Sequence, residues 1–301
     1  MADAFDRYVP EMIETRRRIH KRPELGWTEF ETTAIVAKKL TELGFEIHLG
    51  REVVNPDAVL GRDPKAVEAA ITRAREAGVP EELLSRMDGY TGCVGILDTG
   101  RPGPTLAFRH DMDALPIQEI TDPASDHLPA REGFASTFKG KMHACGHDAH
   151  VTMLLGAAKL LSAHRDAFRG KIKFLFEPSE ESIPASMKET VRAAGYDGEG
   201  GAGFMIQQGV LEGVDMALAL HVQPAVPAGK IQIARHEATA SSDVYDIMLT
   251  GKGGHGAMPE NAVAPVPAMA ELITAIHMLP TREVSSMENC VISIGQVELP
   301  G

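Results

Sequence analysis

The chain has 301 residues, of which 44% are hydrophobic, 24% charged and 5% aromatic. This composition is typical of a globular protein and excludes collagen-like, disordered and disulfide-dense small proteins. At roughly 150 residues per domain, the length predicts two domains. The 42 acidic and 30 basic residues give a net charge of −12, which argues against a basic surface that binds nucleic acid.

Cysteine usage and hydropathy indicate the compartment. Cys93, Cys145 and Cys290 are too few and too far apart for a disulfide framework. The first residues lack the pattern of a signal peptide, so a cytoplasmic location is expected. No apolar run approaches the ~18 residues that cross a bilayer, and membrane insertion is not expected.

The first 110 residues predict alternating helices and strands. Apolar spacing indicates two helices and one extended segment, at residues 5–20, 29–43 and 45–49. Residues 56–90 are interpreted as an insertion of two short helices that break at residues 78–80. Residues 92–97 and 105–109 are expected to pair as a hairpin.

The α/β pattern continues to the end of the chain. A helix is predicted over residues 148–164 with Asp148 as its N-cap, and residues 171–176 are expected to form an edge strand. Residues 216–221 indicate a short buried strand. A strand, a helix and a strand at 244–249, 264–279 and 289–297 predict a βαβ unit in a second domain.

The most informative motif is His143-Ala144-Cys145-Gly146-His147-Asp148. In an extended backbone Cys145 and His147 point the same way, so both side chains can reach one metal ion. A small core cysteine beside a structural histidine is the alternative interpretation. His143 and His150 are expected to have structural or supporting roles.

Carboxylates follow two predicted strands. Of the neighbouring Glu180 and Glu181, one could bind a metal while the other faces its water, and a solvated acidic turn is the alternative. Asp111 and Asp113 share one face at the end of another strand. There a carboxylate could orient a ligating imidazole, or it could form an Asx-turn.

Two later histidines complete the set. His221 ends an apolar strand, where a core histidine is the alternative to a ligand. His255 lies in a glycine-rich loop, where imidazole is too polar to be a packing choice. That loop could close over a substrate and polarise a carbonyl oxygen.

In this order, the motifs resemble the aminoacylase and carboxypeptidase G superfamily of two-metal amidohydrolases, in the branch with plant indole-acetyl-amino-acid hydrolases. The matching stretches extend from Arg17-Arg18-Ile19-His20 to Gly254-His255. The resemblance implies a two-domain α/β fold. Residues 1–237 would form a zinc-peptidase-like α/β/α catalytic domain with a mixed sheet. Residues 238–301 would form the first part of a ferredoxin-like lid and dimerisation domain.

The resemblance also implies roles for single residues. It implies two divalent metal ions, Mn²⁺ or Zn²⁺, and the ligands Cys145, His147, Glu181 and His221. Glu180 is implied as the general base and acid, and Asp113 as the carboxylate that orients a ligand. His255 matches the lid histidine that stabilises the oxyanion and, in related dimers, reaches the partner's site. Asp111 stands where the wider superfamily has a histidine.

Three features depart from the family pattern. Glu177 replaces the usual glutamine and is expected to raise the pKa of the neighbouring base. Residues 183–208 are longer than the usual connection. The chain ends at Gly301 within the lid domain, before the region that supplies a final histidine ligand in relatives, so a fragment of a longer gene is expected.

The implied reaction is hydrolysis of the amide bond of a small N-acyl amino acid. Residues 49–55, the helical insertion and residues 97–104 resemble the A subunits of bacterial p-aminobenzoyl-glutamate hydrolases, which implies p-aminobenzoyl-glutamate as the substrate. A broader N-acyl-amino-acid or dipeptide hydrolase stays open, as does a catalytically silent subunit or metal-binding scaffold. A homodimer or a heteromer with a related subunit is the expected assembly.

Overall fold

The computed structural model describes residues 6–57, 59, 62–181, 200–235 and 245–299. The chain separates into two compact units, Met1–Pro227 and Ala228–Gly301. The domain boundary expected between residues 237 and 238 lies outside the described residues and stays a prediction.

A five-stranded mixed sheet forms the centre of the first unit. Its strands in chain order are β1 (Glu46–Leu49), β2 (Cys93–Asp98), β3 (Thr105–Asp111), β4 (Lys171–Glu177) and β5 (Met216–Ala219). Their order across the sheet is β1-β2-β4-β3-β5. β2 is antiparallel to both β1 and β4, whereas β3 is parallel to both β4 and β5.

The position of β4 overturns two expectations from the sequence. β2 and β3 do not pair as a hairpin, because β4 lies between them with Phe174 opposite both Gly95 and Phe108. β4 is therefore a central strand and not an edge strand. The edge strands are β1 and β5. All four residues of β5 are exposed, Met216 to 58%, so the expectation of a buried strand there is also wrong.

Seven α-helices accompany the sheet among the described residues of the first unit. They are α1 (Val9–Lys21), α2 (Phe30–Glu42), α3 (Pro64–Glu76), α4 (Glu81–Met87), α5 (Leu128–Arg131), α6 (His147–Ala163) and α7 (Gly200–Gln207). The predicted pair of short helices in the insertion is confirmed by α3 and α4. Of the long connection expected at 183–208, residues 183–199 lie outside the described part of the chain, and residues 200–207 form α7.

Alternate side chains of β4 pack on the two faces of the sheet. Phe174 and Phe176 join the larger core, which includes apolar residues of α1, α2 and α6. Leu175 joins a second core that contains Phe204 and Met205 of α7. Because strand side chains alternate between faces, a strand that is apolar throughout is covered on both sides. The expected α/β/α arrangement with a mixed sheet is confirmed.

The helical insertion is tied to the core by one guanidinium. Arg73 of α3 donates to Glu24, which is fully buried, at 2.8 Å, and to Glu31 at 3.2 Å. Glu24 also accepts from the backbone N–H of Thr32 in the first turn of α2. A buried carboxylate needs such partners, because an unpaired charge is costly away from water.

The second unit contains one long helix, α8 (Pro265–Arg282), in agreement with the predicted helix. Within residues 228–235 and 245–299 no strand is assigned, and the only bridge pairs Lys252 with Val263. The prediction of strands at 244–249 and 289–297 is therefore wrong for the residues described. Apolar alternation favours a strand, but a strand also needs a neighbour that takes up its backbone hydrogen bonds.

Hydropathy adds one observation about both units. Among the described helices, none combines the length and the apolar character that crossing a membrane requires.

Removing the Phe174 ring tests the central position of β4. Phe174 is fully buried and packs against the rings of Phe108 and Phe45, with centroids 5.5 and 5.4 Å away. We expect Phe174→Ala to lower the free energy of unfolding by about 3–5 kcal/mol, because a large cavity replaces the ring. Urea unfolding followed by the fluorescence of Trp27, the single tryptophan, measures it.

The control is Ile120→Ala, since Ile120 is 57% exposed. It should change the free energy of unfolding by about 0.5 kcal/mol or less. Equal losses in both variants would contradict the central position of β4.

Candidate metal centre

Three parallel strands bring the candidate residues to one edge of the sheet. β3, β4 and β5 run in the same direction, so their carboxyl ends lie together. Asp111 ends β3 directly opposite Glu177 at the end of β4, and His221 follows β5. Sites in α/β proteins commonly lie at this edge, where loops after the strands meet.

A glycine turn presents the Cys-Gly-His segment to this edge. Gly146 has a φ of 93° and is the N-cap of α6, which begins at His147. A Cβ on Gly146 would lie 2.4 Å from Cγ2 of Val222, so both backbone and packing require glycine. The expected extended backbone is therefore replaced by a left-handed turn. Asp148 is not the N-cap, as its carboxylate instead contacts His20 and Arg16.

His147 is the centre of the donor cluster. Its ring is fully buried, and its Nδ1 lies 3.2 Å from Oδ1 of Asp113. Its Nε2 is buried without a hydrogen-bond partner among the described residues. Carboxylate oxygens of Asp111, Glu181 and Glu180 lie 3.5, 3.7 and 3.9 Å from Nε2, respectively.

Three groups of possible metal ligands share His147. Within each group the donor atoms lie within 4.8 Å of one another; the groups are Cys145/His147/His221, Asp111/His147/His150 and His147/Glu180/Glu181. Sγ of Cys145 is 3.4 Å from Nε2 of His221. Ligands of one metal are separated by such distances when their bonds are about 2.0–2.3 Å long. The orphaned Nε2 and the set of thiol, imidazole and carboxylate donors fit a divalent metal such as Zn²⁺.

The tautomers of both candidate histidine ligands follow from their partners. Nδ1 of His221 donates to the carbonyl oxygen of Val222 at 2.6 Å, which leaves Nε2 free to face Cys145. For His147, the carboxylate of Asp113 accepts the hydrogen bond of Nδ1–H and leaves Nε2 for the cluster. A carboxylate or carbonyl behind the imidazole is the usual way to orient a metal ligand.

Burial and charge shift the pKa values of the cluster. Burial opposes the charged form of His147, but the Asp113 hydrogen bond and the charge of Asp111 raise its pKa to about 9. Burial, together with Glu181, raises the pKa of the Cys145 thiol to about 12. Burial and the charge of Asp111 raise the pKa of Glu180 above its ordinary value.

The unusual Glu177 has its own partners. Its carboxylate accepts from Nε of Arg109 and from the backbone N–H of Ala202 at the start of α7. Burial raises the pKa of Glu177 to about 6. The larger causes of the shift at Glu180 are burial and Asp111, so the expected influence of Glu177 is not among them.

Sequence reasoning missed the residue that supports the Glu180 turn. Ser179 adopts a left-handed φ of 52°, and its N–H donates to Oε1 of Glu29 at 2.7 Å. Oε2 of Glu29 accepts from the hydroxyl of Thr91, also at 2.7 Å. Glu29 is fully buried and distant in sequence, so no local motif marks it.

Two further histidines that the sequence singled out, His143 and His255, have different surroundings. His143 is buried, and neither ring nitrogen has a hydrogen-bond partner among the described residues. His255 belongs to the second unit, where it is exposed and its Nδ1 accepts from the N–H of Ala257 at 3.1 Å. Its Nε2 therefore carries the proton in the neutral ring.

Residues 107–290, which include every candidate ligand, match the family model described as Peptidase family M20/M25/M40. The chain belongs to this family. Indole-3-acetyl-aspartic acid hydrolase of Enterobacter agglomerans is 41% identical over 274 residues, covering 90% of the chain and 58% of the relative. A p-aminobenzoyl-glutamate hydrolase subunit of Escherichia coli (strain K12) is 38% identical over 285 residues, covering 93% and 61%.

Solved structures of similar M20 proteins agree with the fold. An aminobenzoyl-glutamate utilization protein from Klebsiella pneumoniae has a TM-score of 0.58 at 35% identity, covering 76% of this chain and 47% of that one. A putative aminohydrolase from methicillin-resistant Staphylococcus aureus has a TM-score of 0.63 at 30% identity, covering 98% and 62%. The chain spans about three fifths of the length of the curated relatives named above.

Proton release on metal binding tests the cluster. At pH 7 the pKa values of about 9 for His147 and about 12 for Cys145 keep both groups protonated. Ligation requires the neutral imidazole and the thiolate, so Zn²⁺ should displace about two protons, and its affinity should rise between pH 6 and 9. Calorimetry in buffers of different ionisation enthalpy counts these protons.

Cys145→Ser is the matched variant, because a hydroxyl is not deprotonated under these conditions. It should release about one proton fewer. Equal proton counts for both proteins would exclude Cys145 as a ligand.

Proposed function

We propose that the chain carries the metal centre of an amidohydrolase that cleaves the amide bond of N-acyl amino acids. The observation that supports this function is the position of Glu180, with its carboxylate 3.9 Å from the orphaned Nε2 of His147. A base beside a cluster of metal donors is the arrangement that metal-assisted hydrolysis needs.

Two divalent ions, Mn²⁺ or Zn²⁺, would be held by Cys145, His147, Glu181 and His221. Metal ions there would lower the pKa of water and polarise an amide carbonyl. Asp113 fixes the ring of His147 by accepting the hydrogen bond of its Nδ1–H, and it also accepts the N–H of Glu181 at 2.9 Å. One carboxylate thus orients two of the proposed ligands.

Glu180 is the proposed general base and acid. Its side chain is 37% exposed, so a substrate can approach it. Burial raises its pKa, which makes the carboxylate a better proton acceptor than an ordinary glutamate. Glu180 takes a proton from the attacking water and then delivers it to the nitrogen of the departing amine, so the amide bond yields an acid and an amine.

His255 is the proposed donor to the oxyanion. Its Nδ1 accepts from the N–H of Ala257, so its Nε2–H can donate to an oxygen that gains negative charge. The exposure of the side chain supports this role, because an exposed imidazole can meet a substrate.

p-Aminobenzoyl-glutamate is the proposed substrate. Two relatives, 38% and 36% identical, are named as a p-aminobenzoyl-glutamate hydrolase subunit or as the homolog of one. The alternative is a broader N-acyl-amino-acid hydrolase. It is favoured by the 41% identical relative named for indole-3-acetyl-aspartic acid and by a 32% identical N-acetylcysteine deacetylase of Bacillus subtilis (strain 168).

The proposed assembly is a homodimer or a heteromer with a related subunit. The two relatives whose names describe one subunit of a larger hydrolase support it. Light scattering of the purified chain, alone and with a co-expressed second subunit, distinguishes the two assemblies.

Replacing the proposed base tests the chemistry. With Zn²⁺ or Mn²⁺ supplied, Glu180→Gln should lower kcat for p-aminobenzoyl-glutamate by about 10²–10⁴-fold, because general acid–base catalysis is lost. Metal affinity should persist, since Glu180 is not a proposed ligand. Chromatographic measurement of released p-aminobenzoate reports the rate.

Glu76→Gln, at an exposed position of α3, is the control and should keep the wild-type rate. Indole-acetyl-aspartate and N-acetyl amino acids, assayed in parallel, rank the two substrate proposals. A folded, metal-loaded protein that cleaves none of them would indicate a silent subunit or a metal-binding scaffold.

Replacing His255 tests the oxyanion donor. His255→Gln should lower kcat by about 10²–10³-fold with a smaller effect on KM, because the interaction forms in the transition state. The matched variant is His277→Gln, an exposed position on α8 of the same unit. Steady-state kinetics that show the same rates for both variants would remove His255 from the mechanism.

A further inference from the structure

His150 is a fully buried titratable group beside the metal centre that the proposed reaction does not use. It lies on α6, and its side chain is fully buried. Its ring is surrounded by three other imidazoles, with centroids of His110, His147 and His221 at 5.4, 5.3 and 4.5 Å. Such a position joins elements that are far apart in sequence.

Two hydrogen bonds determine which ring nitrogen of His150 carries the proton. The backbone N–H of Val222 donates to its Nε2 at 2.9 Å. A backbone amide can only donate, so Nε2 carries no proton and its lone pair is occupied. The proton therefore resides on Nδ1, which lies 2.5 Å from Oδ1 of Asp111 and donates to it.

This pattern removes His150 from the set of metal ligands. Its Nδ1 carries a proton, and the lone pair of Nε2 accepts from the Val222 amide. Both oxygens of Asp111 are also engaged, because Nη1 of Arg109 lies 3.3 Å from Oδ2. In the group Asp111/His147/His150, only His147 is therefore a proposed ligand. Asp111 is a carboxylate held beside it by His150 and Arg109.

Val222 is held from three sides. His150 accepts its N–H, and Nδ1 of His221 donates to its carbonyl oxygen. Its Cγ2 lies over Gly146, at 2.4 Å from the place where a Cβ would be. The peptide that follows His221 is therefore fixed relative to Cys145 and His147 on either side of Gly146.

We propose that His150 is a positioning residue of the metal centre, acting as a neutral, Nδ1-protonated imidazole. Through Val222 it seats His221 with Nε2 facing Cys145. Through Asp111 it keeps a carboxylate 3.5 Å from Nε2 of His147. The inference rests on the proposed metal centre but not on the substrate or on the hydrolytic step.

Two substitutions separate the two contacts. In His150→Asn the side-chain amide lies near the former Nδ1 and keeps a donor for Asp111, but it loses the acceptor for Val222. In His150→Gln the amide reaches the former Nε2 position and keeps that acceptor, but it loses the donor. Each variant should bind Zn²⁺ about 10–100-fold more weakly, which is the usual cost of removing a group that orients a ligand.

The matched control is Thr152→Val on the same helix. Thr152 is buried, and its hydroxyl bonds only the backbone oxygen of Asp148 within the described residues. Zn²⁺ affinity is measured by competition with a chromophoric chelator on the folded full chain, and thermal unfolding is recorded for each variant. In the Co²⁺-loaded protein, the visible ligand-field bands should change in both His150 variants but not in the control.

Metal affinity and thermal stability together distinguish a positioning role of His150 from a packing role. Loss of affinity and altered Co²⁺ bands in proteins that stay folded support the positioning role. Lower melting temperatures with Zn²⁺ affinity within about twofold of wild type would show that His150 contributes only to packing, and would overturn the positioning role. If the His150 variants show these losses but the metal-loaded wild-type chain cleaves no amide, the proposed hydrolase is rejected and the positioning role is kept.

Nitrogen-15 NMR of histidine-labelled, metal-free protein tests the tautomer without any metal. His150 should appear as a neutral ring with its proton on Nδ1, identified by the loss of its signal in His150→Asn. An Nε2-protonated ring or an imidazolium would overturn the inference.

Discussion

The parallel pairing of β3 with β4 and β5 is the constraint on which the metal centre depends. It directs three strands to one edge, so the residues that end or follow them meet although they are far apart in sequence. Asp111 stands directly opposite Glu177, and His221 follows the neighbouring strand. The left-handed turn at Gly146 then adds Cys145 and His147 from the start of α6.

Burying so many acidic groups requires a cationic or hydrogen-bonding partner for each. Charges removed from water are tolerated in proteins when they are paired and hydrogen-bonded. The pairs here are Asp113 with His147, Asp111 with His150 and Arg109, Asp148 with His20 and Arg16, and Glu177 with Arg109. Nε2 of His147 stands apart, because it faces three carboxylates without a hydrogen bond among the described residues. The partners thus fix the cluster and leave Nε2 of His147 available for coordination.

The backbone conformation beside the cluster is also constrained by its surroundings. Ser179 has a positive φ, and Glu29 holds its N–H from a distant part of the chain. Gly201 packs so closely below this turn that a Cβ would lie 1.7 Å from the oxygen of Pro178. Unusual backbone geometry persists when surrounding contacts determine it, and it concentrates at functional sites. Glu180 and Glu181 therefore emerge from a turn that two other segments support.

The sequence by itself determined the α/β class, the helical insertion and the candidate ligands. Helical spacing and the Cys-Gly-His motif are local properties, and local properties can be recognised in a sequence. Only the tertiary structure decided that β4 lies between β2 and β3, that Asp148 contacts His20, and that His150 accepts from Val222. Periodicity indicates which face of an element is apolar, but strand partners and hydrogen-bond partners are selected by packing between distant segments.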